Sequence, residues 1–161
     1  MEKYAHVIRY IEWLYEASDL VLGKLLGETP TRGEVLPLED LFFTLQDVNL
    51  NIGLIGQLGG HVNFGMGMET ALALAGAMRL LAFSEINEDA ACALGELVNQ
   101  IAENTCAPML EAGIDSSLMP PFGLVCGSPE ISWPHVQKMT ASLGTPYGII
   151  HLTVGLRLGK N

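Results

Sequence analysis

The chain has 161 residues, of which 49% are apolar and 16% charged; this suits one folded domain with a sizeable core and excludes a disordered segment. Its 18 acidic residues face only 8 Lys and Arg, leaving a formal net charge of −10. That balance excludes a phosphate-backbone surface for nucleic acid and a polybasic attachment to an anionic membrane, and it favours protein partners that present Lys or Arg.

Helical spacing runs from Tyr4 to Leu26 through Val7, Ile11, Leu14, Leu20, Val21 and Leu25, predicting a helix over 4–26. A Gly27-Glu28-Thr29-Pro30 break opens a polar connector over 27–41. Val48, Leu50, Ile52 and Leu54 then alternate with Asp47, Asn49, Asn51 and Gly53. After Gly59-Gly60, the residues Val62, Phe64 and Met66 alternate with His61, Asn63 and Gly65. This period of two predicts a β-hairpin over 45–67 that turns at the glycine pair. The stretch Val48 to Met68 has no charged residue, but its polar alternation marks strands and not a membrane span.

An Ala-rich helix is expected over 69–83 and a long helix over 88–112, the latter capped by Asn87 with Glu88 and Asp89 in its first turn. Pro108 should kink this helix or end its regular part early. Strands are expected between 119 and 158: one entered through Met119-Pro120-Pro121-Phe122 and ending at Cys126, one over about 135–143, and a clear final run with Ile150, Leu152, Val154, Leu156 and Leu158 alternating with His151, Thr153, Gly155 and Arg157. The order helix, hairpin, two helices, three strands predicts an α+β fold, an antiparallel sheet with long helices packed on one face.

The N-terminus has neither a basic segment nor a clean apolar one, so no secretory signal is expected. Cys92, Cys106 and Cys126 are odd in number and widely spaced; this predicts neither a disulfide framework nor a zinc knuckle and fits a reducing cytoplasm. The four histidines, His6, His61, His135 and His151, are too dispersed for a metal motif. His61 and His151 are expected at the surface and Cys126 in the interior.

Chemistry concentrates on the helix that starts at Glu88. With Glu96 at zero on a helical wheel, Ala90, Leu94, Leu97, Val98, Ile101 and Thr105 fall between about 100° and 200°, while Asn99 lies near −60° and Glu103 near about −20°. Glu96 and Asn99 therefore project together away from the core side and can meet one partner. The same spacing also describes an ordinary solvated face.

The segment Ala93-Leu94-Gly95-Glu96-Leu97-Val98-Asn99-Gln100-Ile101-Ala102 resembles the signature helix of the CheC/CheX/FliY family of chemotaxis phosphatases, in its CheX type, with the pattern Gly-Glu-x-x-Asn. Flanking features agree: Gly59-Gly60-His61-Val62, the Ala-rich helix from Met68, and Gly113-Ile114 leading to Pro120-Pro121 and Gly127. The resemblance spans about Ile11 to Arg157 and implies a CheC-like fold. It also implies a phosphatase acting on the phospho-aspartate of a CheY-like response-regulator receiver domain in two-component signalling. By that likeness Asn99 orients the attacking water and Glu96 docks to a receiver Lys. The family pattern implies no cofactor of the chain's own, Mg²⁺ being supplied by the receiver, and it implies a homodimer. The mean hydropathy of +0.32 agrees with an apolar surface hidden in such a dimer.

The chain departs from the pattern at Cys92, where many relatives carry Asp or Ser. No second Glu-x-x-Asn exists in the earlier helices, since Glu12 is followed at the third position by Tyr15 and Glu69 by Leu72. Cys92 keeps a second reading open, a non-enzymatic interaction module that binds a receiver or a switch-complex protein without turnover.

Overall fold

Strict alternation becomes a sheet with one dry face, as side chains that repeat every two residues must. In the computed structural model, which describes residues 2–119 and 123–159, a 3₁₀ turn over Glu2–Tyr4 leads into α1 (Ala5–Leu26). There follow β1 (Thr31–Arg32), β2 (Leu36–Pro37), β3 (Phe43–Thr44), β4 (Val48–Gly56), β5 (Leu58–Met66), α2 (Met68–Arg79), α3 (Glu88–Glu103) and α4 (Cys106–Glu111). The chain closes with β6 (Ser116–Leu118), β7 (Leu124–Cys126), β8 (Glu130–Ile131), β9 (Gln137–Thr145) and β10 (Gly148–Leu158).

The main sheet runs β1-β9-β10-β5-β4-β6, antiparallel at each pairing, with β2 also on β9 and β7 also on β4. Register aligns Ile52 with Val62, Val62 with Val154 and Val154 with Met139. These residues are buried in one cluster with Val7, Tyr10, Ile11 and Leu14 of α1, Leu74 of α2, and Leu94, Leu97 and Ile101 of α3. Removing each large aliphatic chain from water contributes about 1.5–3 kcal/mol, which ties all three helices to the same sheet face. The fold is the expected α+β arrangement. No helix of the described residues is long and apolar enough to cross a membrane.

Several boundaries differ from the sequence reading, each for a physical reason. The 27–41 connector contributes two short strands: Thr31 and Arg32 pair with Gly144 and Leu143, and Leu36 and Pro37 with Thr140 and Met139. They cover the edge of β9, and Pro37 is tolerated there because an edge residue needs no second donor. The hairpin turns at Gln57 and not at Gly59-Gly60, which lie inside β5. Gly60 has φ of +143°, and a Cβ there would run into the carbonyl oxygen of Gly155 on β10; the glycine serves a close strand approach and not a turn.

Helix α2 stops at Arg79, four residues before the expected end at 83, because Leu80 adopts a left-handed C-cap at φ 59° and returns its N–H to the Gly76 carbonyl. Leu81 N–H also bonds to Gly76 O at 3.2 Å, a reversal that a Cβ on Gly76 would obstruct at 2.8 Å from Leu81 O. The expected 88–112 helix is two helices. Pro108 cannot donate to the carbonyl of Asn104 and its ring would crowd that residue, and the break falls at Asn104–Thr105. Buried Thr105 secures the break: its hydroxyl donates to Ala102 O at 2.6 Å and lies 3.0 Å from the Tyr10 hydroxyl of α1.

The strand expected from Met119 is found at Leu124–Cys126, with Pro120, Pro121 and Phe122 outside the described residues. Ser116–Leu118 forms a strand that alternation did not reveal. The strand expected at 135–143 occupies 137–145. The final run is a strand as expected, although Leu158 at its end is exposed.

The sheet face away from the helices is polar in sequence yet largely covered. Asn49 and Asn63 are each 2% exposed. Asn49 accepts from Gln46 N–H at 3.0 Å and from Asn63 Nδ2 at 3.2 Å, and it donates to Gln46 O and to Val125 O. Trp133 stacks on His61 at 5.2 Å and meets Phe43 edge-on. A Cβ on Gly155 would come within 2.8 Å of Trp133 Cε3 and 2.9 Å of Val136 Cγ2. His61 and His151 are thus half-buried and not surface residues; burial pushes both imidazoles below their usual range, and Arg157 adds to the effect at His61. Cys126, expected inside, is exposed on β7.

Candidate functional site on the outer face of α3

Helix α3 forms where the sequence places its cap. The Asn87 side chain accepts from Ala90 N–H at 2.9 Å, and Glu88 and Asp89 occupy the first turn, where the helix dipole favours negative charge. Ala90, Ala93, Leu94, Leu97, Val98 and Ile101 are buried against the sheet and α1. That fixes the rotation of the helix and turns Cys92, Glu96, Asn99 and Glu103 outward. Glu96 keeps 53% of its side chain exposed, Asn99 is half-exposed, and Cys92 and Glu103 are exposed. The structure thus brings both candidate site residues onto one open face.

Each has a partner on that face. Asn99 Nδ2 donates to Glu103 Oε1 at 2.7 Å, a contact one helical turn apart. Among the described residues, the hydrogen bond seen for the Asn99 side chain is this donation from Nδ2. Glu96 receives a two-pronged contact from Arg79 at the end of α2: Nη1 to Oε2 at 2.7 Å and Nη2 to Oε1 at 3.1 Å. Arg79 Nε also donates to Asp89 Oδ1 at 2.9 Å. The guanidinium holds the Glu96 carboxyl below its usual range, and the two carboxylates raise the guanidinium in turn. Arg79 is thus shared by Asp89 and Glu96, while Glu88 and Glu103 add negative charge at the two ends of α3, so the face remains acidic.

Arg79 was missed by sequence reasoning. It lies 17 residues from Glu96, and only the reversal at Leu80–Leu81 brings the two together. With the helix expected to run on to 83, nothing in the sequence marked Arg79 as a last-turn residue, and no local pattern names its partner.

A groove of about 420 Å³ runs beside the pair, between α3 and the β4–β7 edge. Its apolar walls include Leu50, Ala91 and Leu124, its polar rim Glu96 and Asn99, and Cys92 and Gly95 line it from the helix. Nothing lies within 4 Å of where a Gly95 Cβ would stand. A mid-helix glycine costs about 0.5–1 kcal/mol relative to Ala, and among the described residues no packing requires it. Gly95 leaves the helix surface low between the groove and the Glu96–Asn99 pair.

Chemically, the face offers a carboxylate for a cation, an uncharged amide able to accept from one group and donate to another, and a shallow apolar recess. Among the described residues no group of three or more His, Cys, Asp or Glu side chains is placed to hold a metal ion.

No family model matches the chain, and no curated protein matches it in sequence. Solved structures do resemble it in three dimensions. The chemotaxis protein CheX of Desulfovibrio desulfuricans superposes with a TM-score of 0.80 at 21% identity, over 94% of this chain and 99% of that one. The CheX of Vibrio vulnificus gives 0.80 at 16% identity, over 92% and 99%. A chain of the CheX–CheY–BeF₃–Mg²⁺ complex of Borrelia burgdorferi gives 0.76 at 24% identity, over 92% and 97%. Across nearly its whole described length, the chain has the fold of the CheX and CheC-like chemotaxis proteins.

Proposed function

We propose that the chain is a CheX-like phosphatase that accelerates hydrolysis of the phospho-aspartate of a CheY-like receiver domain. The observation that carries this reading is the outward Glu96–Asn99 pair on the open face of α3, in a chain with the CheX fold. A CheX of the same fold has been crystallised with CheY, BeF₃ and Mg²⁺, which supports a receiver as the partner.

In this reading α3 lies across the receiver's active site. Glu96 meets a receiver Lys, and Asn99 enters beside the acyl phosphate, its Oδ1 accepting from a water. The water oxygen bonds to phosphorus as the bond from phosphorus to the aspartate oxygen breaks, giving inorganic phosphate and a free carboxylate. An amide suits that position because it carries no charge to repel the phosphoryl group; a carboxylate suits the docking position because it meets a cation. The rate gain then comes from placing the water in line, since phosphoryl transfer asks little covalent work of a helper. Mg²⁺ belongs to the receiver. The reading places the chain in the cytoplasm, where receivers act. It also includes a homodimer, supported by the exposed apolar residues Leu80, Leu81, Tyr147 and Ile149.

The exposed Cys92, one turn before Glu96 on the same face, favours the second reading, a receiver-binding module without turnover. The two separate in one assay. Phosphorylated CheY-like receivers are mixed with the chain and phosphate loss is timed. The phosphatase shortens the lifetime of at least one receiver; binding with unchanged decay supports the module instead.

A further inference from the structure

We propose that Arg79 is an intramolecular latch on the docking carboxylate, and that Glu96 must exchange Arg79 for the partner's cation before the receiver is held. The inference deepens the proposed function and rests on Glu96 being the docking residue.

Both oxygens of Glu96 are taken by the Arg79 fork at 2.7 and 3.1 Å. A planar fork on a carboxylate fixes its plane as well as its position. An incoming Lys⁺ would therefore meet a carboxylate already engaged and a guanidinium of its own sign beside it. The contact with Asp89 makes the exchange feasible. Arg79 Nε is held by Asp89 at 2.9 Å independently of Glu96, so a guanidinium released by Glu96 keeps a counter-charge. Asp89 lies in the first turn of α3 and Arg79 in the last turn of α2. The exchange thus needs only side-chain motion, while both helices stay fixed by their buried faces. The contact is solvent-facing on the Glu96 side, and exposed ion pairs of this kind close only partly.

A ligand that binds one member of a two-state site sees its affinity reduced by the competent fraction. For a solvent-facing pair, releasing the latch therefore strengthens docking by about threefold. The test uses the full chain and a phosphorylated CheY-like receiver that the wild type turns over, with kcat and KM measured separately. Arg79→Ala should lower KM by about threefold and move kcat by less than twofold. Arg79→Lys keeps the charge but loses the fork, and should fall between the two. Because removing a cation also makes the face more acidic, the same change is made in a Glu96→Gln background, where a latch effect disappears and a field effect persists.

A KM that stays put or rises in Arg79→Ala, or that falls equally in the Glu96→Gln background, overturns the latch while leaving the proposed function standing. Failure of the wild type to accelerate decay of any receiver overturns the proposed function, and the latch with it.

Discussion

Two faces of this molecule carry Asn side chains beside charged or polar neighbours, and they differ in what surrounds those side chains. On the far side of the sheet, Asn49 and Asn63 are sealed at 2% exposure, and Asn49 spends its amide on Gln46, Val125 and Asn63. On the outer face of α3, Asn99 gives one hydrogen bond to an exposed neighbour and Glu96 remains half-open. The first set is committed to the fold, because a buried amide that loses its partners cannot recover them from water. The second set is exchangeable, because water or a partner can replace every contact it makes. Similar residue types therefore serve stability on one face and remain available for recognition on the other.

The contrast can be broken by mutation. Asn49→Ala strands the Gln46 and Val125 backbone groups and should cost about 2–3 kcal/mol in chemical denaturation; Asn99→Ala should shift the same curve by less than about 0.5 kcal/mol. Equal losses at the two positions would erase the distinction. Glu96→Gln should weaken receiver binding by about tenfold at low ionic strength and progressively less as salt is added, a trend that a binding titration at several salt concentrations reads directly.

Gly95→Ala sharpens the comparison further because its two effects have opposite sign. The added methyl meets nothing among the described residues, so unfolding should become harder by about 0.5–1 kcal/mol, while receiver docking weakens because the low point of the helix surface is filled. A variant that is more stable and docks equally well would remove Gly95 from the site.

The smallest effect belongs to pH and to the sealed face. Burial lowers the imidazoles of His61 and His151, so the unfolded chain binds protons that the folded chain refuses. Their contribution is complete above the unfolded pKa of about 6.5 and is lost as pH falls through that value toward the lowered folded ones. The urea midpoint should therefore drop from pH 7.5 to 5.5, and by less in His61→Gln.

How much of this was legible beforehand follows the same division. Local periodicity exposed α1, β4, β5, β10 and the inward face of α3, and the Asn87 cap was readable because it depends on three successive residues. The outward placement of Glu96 and Asn99 followed from helix geometry alone. Alternation, however, says only that a strand has two faces and not whether the second is covered. The cover comes from Trp133 on His61, Trp133 and Val136 beside Gly155, and Gln46 beside Gly65, irregular segments that have no period. Gly60 resembled a turn residue because close strand approach and chain reversal both call for a missing Cβ. Arg79 escaped because its partner is set by a left-handed Leu80, a conformation that side chain does not advertise.

The most direct test of the central claim is the decay of a phosphorylated CheY-like receiver at saturating concentrations of wild-type chain and of Asn99→Ala. If Asn99 places the attacking water, the variant binds the receiver with similar affinity and its kcat falls by about 100-fold or more. A variant that retains the wild-type kcat would contradict the claim.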